Sequence, residues 1–199
     1  AYGMGRSYGD VCLNPHGSLW MTHALDRFIA FDDTTGMLQC QAGMTLQTIQ
    51  QLMVHRGWML PVTPGTQHIT VGGAIANDIH GKNHHQWGTF GHHVHDLVLQ
   101  RTDGQIIACS QRENKDWFAA TIGGLGLTGL IVQATLQLRP IPSPWLTTQT
   151  IGYHHLNAFF QHEAQSQAHW EHTVAWIDCT HKKRQRGLLM HAKPCHHHA

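Results

Sequence analysis

Three glycine-rich runs break this chain where a long helix or an unbroken strand would otherwise form. They are Gly3-Met4-Gly5-Arg6-Ser7-Tyr8-Gly9, the stretch from Gly65 to Gly73, and Gly123-Gly124-Leu125-Gly126-Leu127-Thr128-Gly129. Glycine weakens the interior of a helix or strand and is suited to turns and close backbone approaches. Around these runs, strands and short helices interleave. Phe28 to Phe31 and Met37 to Ala42 read as a hairpin around Asp32-Asp33-Thr34-Thr35-Gly36. Thr45 reads as an N-cap, with Leu46, Ile49, Leu52 and Met53 on one helical face and Gly57 as the stop.

Further along, Pro61-Val62-Thr63-Pro64-Gly65 forces a loop, and a short helix is predicted from Gly73 to about Asp78. Val94 to Arg101 and Gln105 to Cys109 pair across Asp103-Gly104, and Asn114 to Ile122 is helical. Trp117 to Leu138 carries no charge, but from Ile131 it alternates as a strand, so it is not a membrane span. Leu19 to Met21 is expected to be a short strand. Hairpins outnumber βαβ units, which favours an α+β domain over a doubly wound sheet.

Pro140, Pro142 and Pro144 mark a boundary. Residues 1–140 are expected to form one domain, and residues 145–199 the incomplete start of another. The chain opens on Ala1 rather than methionine, so it is expected to be a piece of a longer protein.

Composition restricts the partners. A hydrophobic share of 41 % with 13 % charged residues suits a packed core rather than a disordered chain. A formal net charge of +1 is too small to propose nucleic acid as a partner. The five cysteines are scattered and odd in number, with no CxxC pair, which points away from a disulfide framework and towards a reducing cytoplasm.

The 20 histidines are the compositional outlier. His84-His85, His92-His93 and His95 are the densest group, but they lack acidic or cysteine partners at metal-site spacing. No metal site is expected. His154-His155 reads as an exposed pair, and Cys195-His196-His197-His198 resembles a partial tag. Lys182-Lys183-Arg184-Gln185-Arg186 reads as a solvated basic loop.

The glycine runs carry the chemistry. The first has the spacing GxGxxxG, and Asn14-Pro15-His16-Gly17 interrupts any helix after it, so it is not a Rossmann fingerprint. It can still bring backbone N–H groups against an anion, with Arg6 and Ser7 as further donors. Thr70, Gly72 and Gly73 precede a short helix whose unpaired amides and dipole would favour a pyrophosphate. The competing reading is a tight turn that packs this helix against a strand. The third run has two readings of its own, a cofactor loop or a buried turn. Three such loops together suit a large dinucleotide better than chance turns.

The run from Gly3 to Asp10 resembles the N-terminal flavin loop of the vanillyl-alcohol oxidase/p-cresol methylhydroxylase superfamily. Pro64 to His85, and above all Asp78-Ile79-His80-Gly81-Lys82-Asn83-His84-His85, is similar to the decaprenylphosphoryl-β-D-ribose 2-oxidase family. Phe118 to Gly124 and Gly126 to Gly129 match a later loop of that family. The resemblance covers residues 1–140 and thins beyond them.

The resemblance implies a p-cresol methylhydroxylase-type FAD-binding domain of two α+β subdomains, followed by the start of a substrate cap. It implies FAD held by Ala1, Tyr2, Gly3, Met4, Gly5, Arg6, Ser7, Tyr8, Gly9, Asp10 and Val11. Gly65, Thr70, Val71, Gly72, Gly73, Asn77, Asp78, Ile79, His80 and Ile131 complete that set. Asn77 departs from the small residue usual in the family. His80 matches a position of covalent flavin attachment in other branches, whereas the family it resembles binds FAD without that bond.

His80 and Lys82 are the implied catalytic pair, at the flavin's reactive edge. The implied reaction is oxidation of a secondary hydroxyl on a polyprenylphosphoryl pentose, a cell-wall precursor, by hydride transfer to flavin N5. A short-chain dehydrogenase partner completing an epimerisation, and peripheral contact with the inner membrane, are implied with it. The alternatives are an aldonolactone or alditol oxidase of the same superfamily, or a histidine-rich metal-binding protein.

Overall fold

A computed structural model describes residues 1–166, 168–180 and 186–196. Residues Lys182–Gln185 of the basic run, and His197 and His198, lie outside the described residues. The elements follow in chain order: β1 (Phe28–Asp32), β2 (Met37–Gln41), α1 (Leu46–Met53), β3 (Trp58–Met59), α2 (Val71–Ala76), α3 (His84–Trp87), β4 (Val94–Gln100), β5 (Ile106–Ser110), α4 (Lys115–Thr121), β6 (Leu130–Gln137), β7 (Arg139–Pro140), β8 (Leu146–Tyr153), α5 (Leu156–Ser166), β9 (His172–Ile177) and β10 (Gly187–Pro194).

Five strands form one sheet in the order β1-β2-β6-β4-β5, and every neighbouring pair is antiparallel. The fold is the α+β class expected. Local chemistry explains most of the hairpins. At the β1–β2 turn, Asp32 Oδ1 accepts from the Thr34 amide at 2.9 Å, and Gly36 takes φ 75°. At the β4–β5 turn, Gly104 adopts φ 89° and the Gln105 amide donates to Asp103 Oδ1 at 2.9 Å.

Helix α1 starts where Thr45 Oγ1 accepts from the Thr48 amide, and Leu46, Ile49 and Met53 bury one face. Leu52, expected on that face, is 46 % exposed, because the buried stripe is narrower than the sequence pattern suggested. A 3-10 turn follows, and Gly57 ends it in the left-handed region at φ 79°.

Leu19 to Met21 is not a strand. Met21 makes an isolated parallel bridge to Tyr2, because the Tyr2 amide donates to the Trp20 carbonyl and the Thr22 amide to Tyr2. Helix α2 begins at Val71 rather than Gly73, since the Thr70 hydroxyl caps it two residues earlier, and it ends at Ala76 rather than Asp78.

The core lies between the five-stranded sheet and helices α1, α2 and α4. Leu38, Leu97, Leu99, Ala134 and Leu136 from the strands meet Ile49, Ile75 and Phe118 from the helices. Beyond Pro144, strands β8, β10 and β9 form a separate antiparallel sheet in that order. No helix among the described residues is long and apolar enough to cross a membrane. Among the same residues, no group of three or more His, Cys, Asp or Glu side chains is arranged to hold a metal.

Candidate functional site

The three glycine runs converge. The first run, the start of α2 and the third run line one cleft of about 290 Å³, closed on one side by Leu130 and Ile131 at the start of β6. Each wall is held by backbone pairing. The first loop is strapped by the pairing of Tyr2 with Trp20 and Thr22, and that strap is fixed in turn by the Gly43 amide donating to the Leu25 carbonyl at 2.7 Å. The third loop docks on the end of α2 through Gly123 N–H to Ile75 O at 3.0 Å and Leu125 N–H to Ala76 O at 2.8 Å.

Of the residues expected to hold a cofactor, Ala1, Gly3, Met4, Gly5, Arg6, Ser7, Tyr8 and Val11 line the cleft. So do Thr70, Gly72, Gly73, Asn77, Ile79 and Ile131. Tyr2, Gly9, Asp10, Gly65, Val71, Asp78 and His80 do not. Val71 is a fully buried core residue, and the Asp78 carboxylate accepts from the Gly91 amide at 2.8 Å. Asp78 also sits at φ 40°, a left-handed bend that turns the chain out of α2 towards His80.

The expected reason for the α2 glycines changes. The amides at the start of α2 are not unpaired: Val71 donates to Met44 O at 2.9 Å, Gly72 to Ala42 O at 2.7 Å and Gly73 to Thr70 Oγ1 at 3.1 Å. A Cβ on Gly72 would meet the Ala42 Cβ at 3.2 Å, so the close approach there is helix against strand. Unsatisfied donors lie instead in the first loop. Among the described residues, no amide from Gly3 to Gly9 donates to a protein acceptor.

That donor set suits a pyrophosphate. Arg6 is the one charged side chain lining the cleft among the described residues, and no carboxylate faces it. Gly3 has space for neither a Cβ nor a bulkier group on its Thr70 side, where an added Cβ would stand 2.7 Å from Thr70 Oγ1. Tyr8 is 97 % exposed at the rim. The cleft is at the low end of small-molecule sites, roughly 300 Å³, so a molecule as large as FAD would extend beyond it.

His80 and Lys82 follow Ile79 out of the cleft, and both are exposed. His80 is held by an antiparallel bridge to Thr89, and its ring meets His84 edge-on at 5.7 Å. Lys82 lies on a loop tied to the second sheet: its carbonyl accepts from the Thr173 amide at 2.9 Å.

The next residue, Asn83, is fully buried and donates to Pro61 O at 2.8 Å and to Glu171 Oε1 at 3.3 Å. The same carboxylate oxygen accepts from Arg139 at 2.5 Å and lies 3.1 Å from His172 Nε2. Burial raises the Glu171 pKa, but the bond to His172, the Arg139 charge and the Asn83 amide outweigh it and bring the pKa below the usual carboxylate value. Arg139 also stacks on Trp87, with its guanidinium carbon 4.8 Å from the ring centroid.

Sequence reasoning missed this cluster, because Arg139 and Glu171 show no local pattern. It also left out Cys12, Thr22, Ala42 and Leu125, which line the cleft. Leu125 could have been found, since it lies inside the third glycine run.

Comparison with known proteins agrees with this geometry. The sequence pattern of the FAD binding domain family matches residues 1–110. Decaprenylphosphoryl-beta-D-ribose oxidase of Mycolicibacterium smegmatis is 37 % identical over 191 residues, covering 94 % of this chain and 41 % of that protein. A putative D-arabinono-1,4-lactone oxidase of Neurospora crassa is 29 % identical over 69 % of this chain and 24 % of its own length. The human Delta(24)-sterol reductase is 31 % identical over 62 % of this chain and 24 % of its own length. The chain thus spans less than half the length of these relatives. With a cleft built from three glycine loops and free backbone donors, and with a family match over more than half its residues, this chain belongs to the FAD-binding domain family, has the p-cresol methylhydroxylase-type α+β fold, and takes FAD as its cofactor.

Proposed function

We propose that the protein oxidises a secondary hydroxyl of a sugar, and that the sugar is a polyprenylphosphoryl pentose such as decaprenylphosphoryl ribose. The observation that carries this reading is the intact Asp78-Ile79-His80-Gly81-Lys82-Asn83-His84-His85 run leaving the cleft at Ile79, in a chain 37 % identical to an oxidase of that sugar. Residues 1–140 serve as the FAD-binding domain, and residues 145–199 begin a substrate cap.

When bound, FAD would supply the acceptor for the hydride that leaves the carbinol carbon, while a base takes the hydroxyl proton. The first loop holds the anionic part of the cofactor through the amides of Gly3 to Gly9, with Arg6 and Ser7 beside them. Thr70, Gly73, Asn77 and Ile131 bound the remainder, and the attachment is noncovalent at His80. Lys82 donates hydrogen bonds and positive charge to the sugar oxygen as alkoxide character develops. His80, edge-on to His84, orients the same substrate face.

The setting that follows is cytoplasmic, with peripheral contact to the inner membrane where a polyprenyl substrate resides, and with a short-chain dehydrogenase to complete an epimerisation. The lactone oxidase similarity supports a second reading, in which the substrate is a soluble aldonolactone. Anaerobic mixing of the intact, FAD-loaded protein with decaprenylphosphoryl ribose separates the two. The proposal expects the blue flavin absorbance to bleach with this sugar and to persist with D-arabinono-1,4-lactone; the opposite pattern would replace the proposed substrate with the lactone.

A further inference from the structure

We infer that Asn83, Glu171 and Arg139 form a latch by which the second sheet sets the position of the Lys82 loop. The distances define a continuous path. Arg139, at the start of β7 and paired there with Met59 of β3, holds Glu171 at 2.5 Å, and Glu171 holds the Asn83 amide at 3.3 Å. Asn83 is adjacent to Lys82, whose own carbonyl is held by the Thr173 amide at 2.9 Å. Gln86 adds a third tie, donating to the Trp170 carbonyl at 3.3 Å.

Two features distinguish this from an ordinary surface ion pair. Asn83 and Arg139 are buried, and Glu171 is nearly so, with a side chain 11 % exposed, so losing one partner strands the others away from water. All three ties come from one short stretch, Trp170 to Thr173, which leads into edge strand β9. A shift of this strand would therefore carry the loop with it, while leaving α2 and the glycine cleft in place.

These three are positioning residues. Their consequence for turnover rests on the proposed role of Lys82, whereas the latch itself rests only on the contacts above. Hydrogen exchange in the intact, FAD-loaded protein tests it directly. The amides of Gln86, Trp87 and Gly88 are protected by bonds to Asn83 and His84 carbonyls and report on the loop.

Glu171→Ala removes the carboxylate. Thr173→Pro removes only the donor to Lys82 from an edge strand, where proline is tolerated, and spares the buried charges. Each is expected to raise exchange at residues 86–88 by about tenfold or more. FAD content and the protection of residues 71–76 should stay unchanged. Glu171→Gln, which keeps an acceptor for Asn83, should restore most of the protection.

Unchanged exchange at 86–88 in both variants would overturn the latch, as would a rise spread evenly over α2. Bleaching by decaprenylphosphoryl ribose supplies the functional arm: the variants should lower the rate at saturating sugar more than they change the half-saturating concentration. If the unmodified protein does not bleach with that sugar, the proposed substrate fails, and the exchange data still decide the latch.

Discussion

At the scale of single residues, a glycine's meaning depends on what its missing Cβ would have touched. Gly72 and Gly73 are neighbours in the sequence, yet an added Cβ would press on Ala42 at 3.2 Å in the first case and on the Thr70 hydroxyl at 3.1 Å in the second. Both line the cleft, but Gly72 also allows α2 to pack against the chain just past β2, while Gly73 stands only beside the hydroxyl that caps its own helix. Lys82 poses the sharper question, since it is exposed and outside the cleft lining. Lys82→Met keeps the length and most of the apolar stem but removes charge and donors. FAD occupancy should survive, and substrate-driven bleaching should slow by about one to three orders of magnitude. A single-turnover rate equal to that of the unmodified protein would make Lys82 an ordinary surface lysine.

At the scale of elements, the cleft depends on a strap that carries no functional side chain. Gly43 lies where the chain leaves β2, and a Cβ there would collide with the Thr22 carbonyl oxygen and stand 2.7 Å from that of Leu25. Both obstacles are backbone and cannot rotate away. Gly43→Ala should therefore displace residues 22–25 and loosen the first loop, at a cost of about 1–3 kcal/mol. Thermal unfolding of the apoprotein, together with FAD titration, checks this: both stability and affinity should fall, and a variant with unaltered affinity would show that the strap does not position the loop.

Elements with local signals were readable in advance. The Thr45 cap, the Gly57 stop and the Asp103-Gly104 turn appear as expected; the strand from Ile131 forms too, but an irregular register beside Val98 and Leu99 breaks its alternation, so that Ile131, Ala134, Thr135 and Leu136 are all buried. What could not be read is non-local. Gly72 packs on Ala42, Asn83 meets a glutamate 88 residues away, and Arg139 pairs across 32 residues, none of which leaves a periodic trace. The exposed strands β8 and β9 and the helix α5 after Pro144 were equally silent, because few of their side chains are buried.

At the scale of the whole molecule, the second sheet holds a group that ties its stability to pH. His191 is 2 % exposed, lies against Trp170 with ring centroids 5.5 Å apart, and has no hydrogen-bond partner at either ring nitrogen among the described residues. Burial lowers its pKa; Glu163 acts in the opposite direction and His162 in the same one. In the unfolded chain the imidazole takes its proton near pH 6.5, about the ordinary histidine value. Below that pH the unfolded chain binds more protons than the folded one, so stability present at neutral pH is lost as the solution is acidified. The melting temperature should fall between pH 7 and pH 5, and His191→Phe should flatten that slope. An identical slope in the variant would assign the pH dependence to the other histidines.

We propose that the three glycine loops, spaced along the chain, close on one FAD molecule held without a covalent bond. The most direct measurement is the absorbance of the purified intact protein before and after acid precipitation. The expected result is a flavin spectrum at about one FAD per chain, with all of the yellow cofactor released to the supernatant as FAD. A flavin that stays on the pellet, mapped by mass spectrometry to His80, would contradict noncovalent binding. A colourless protein that takes up no added FAD would contradict the site itself.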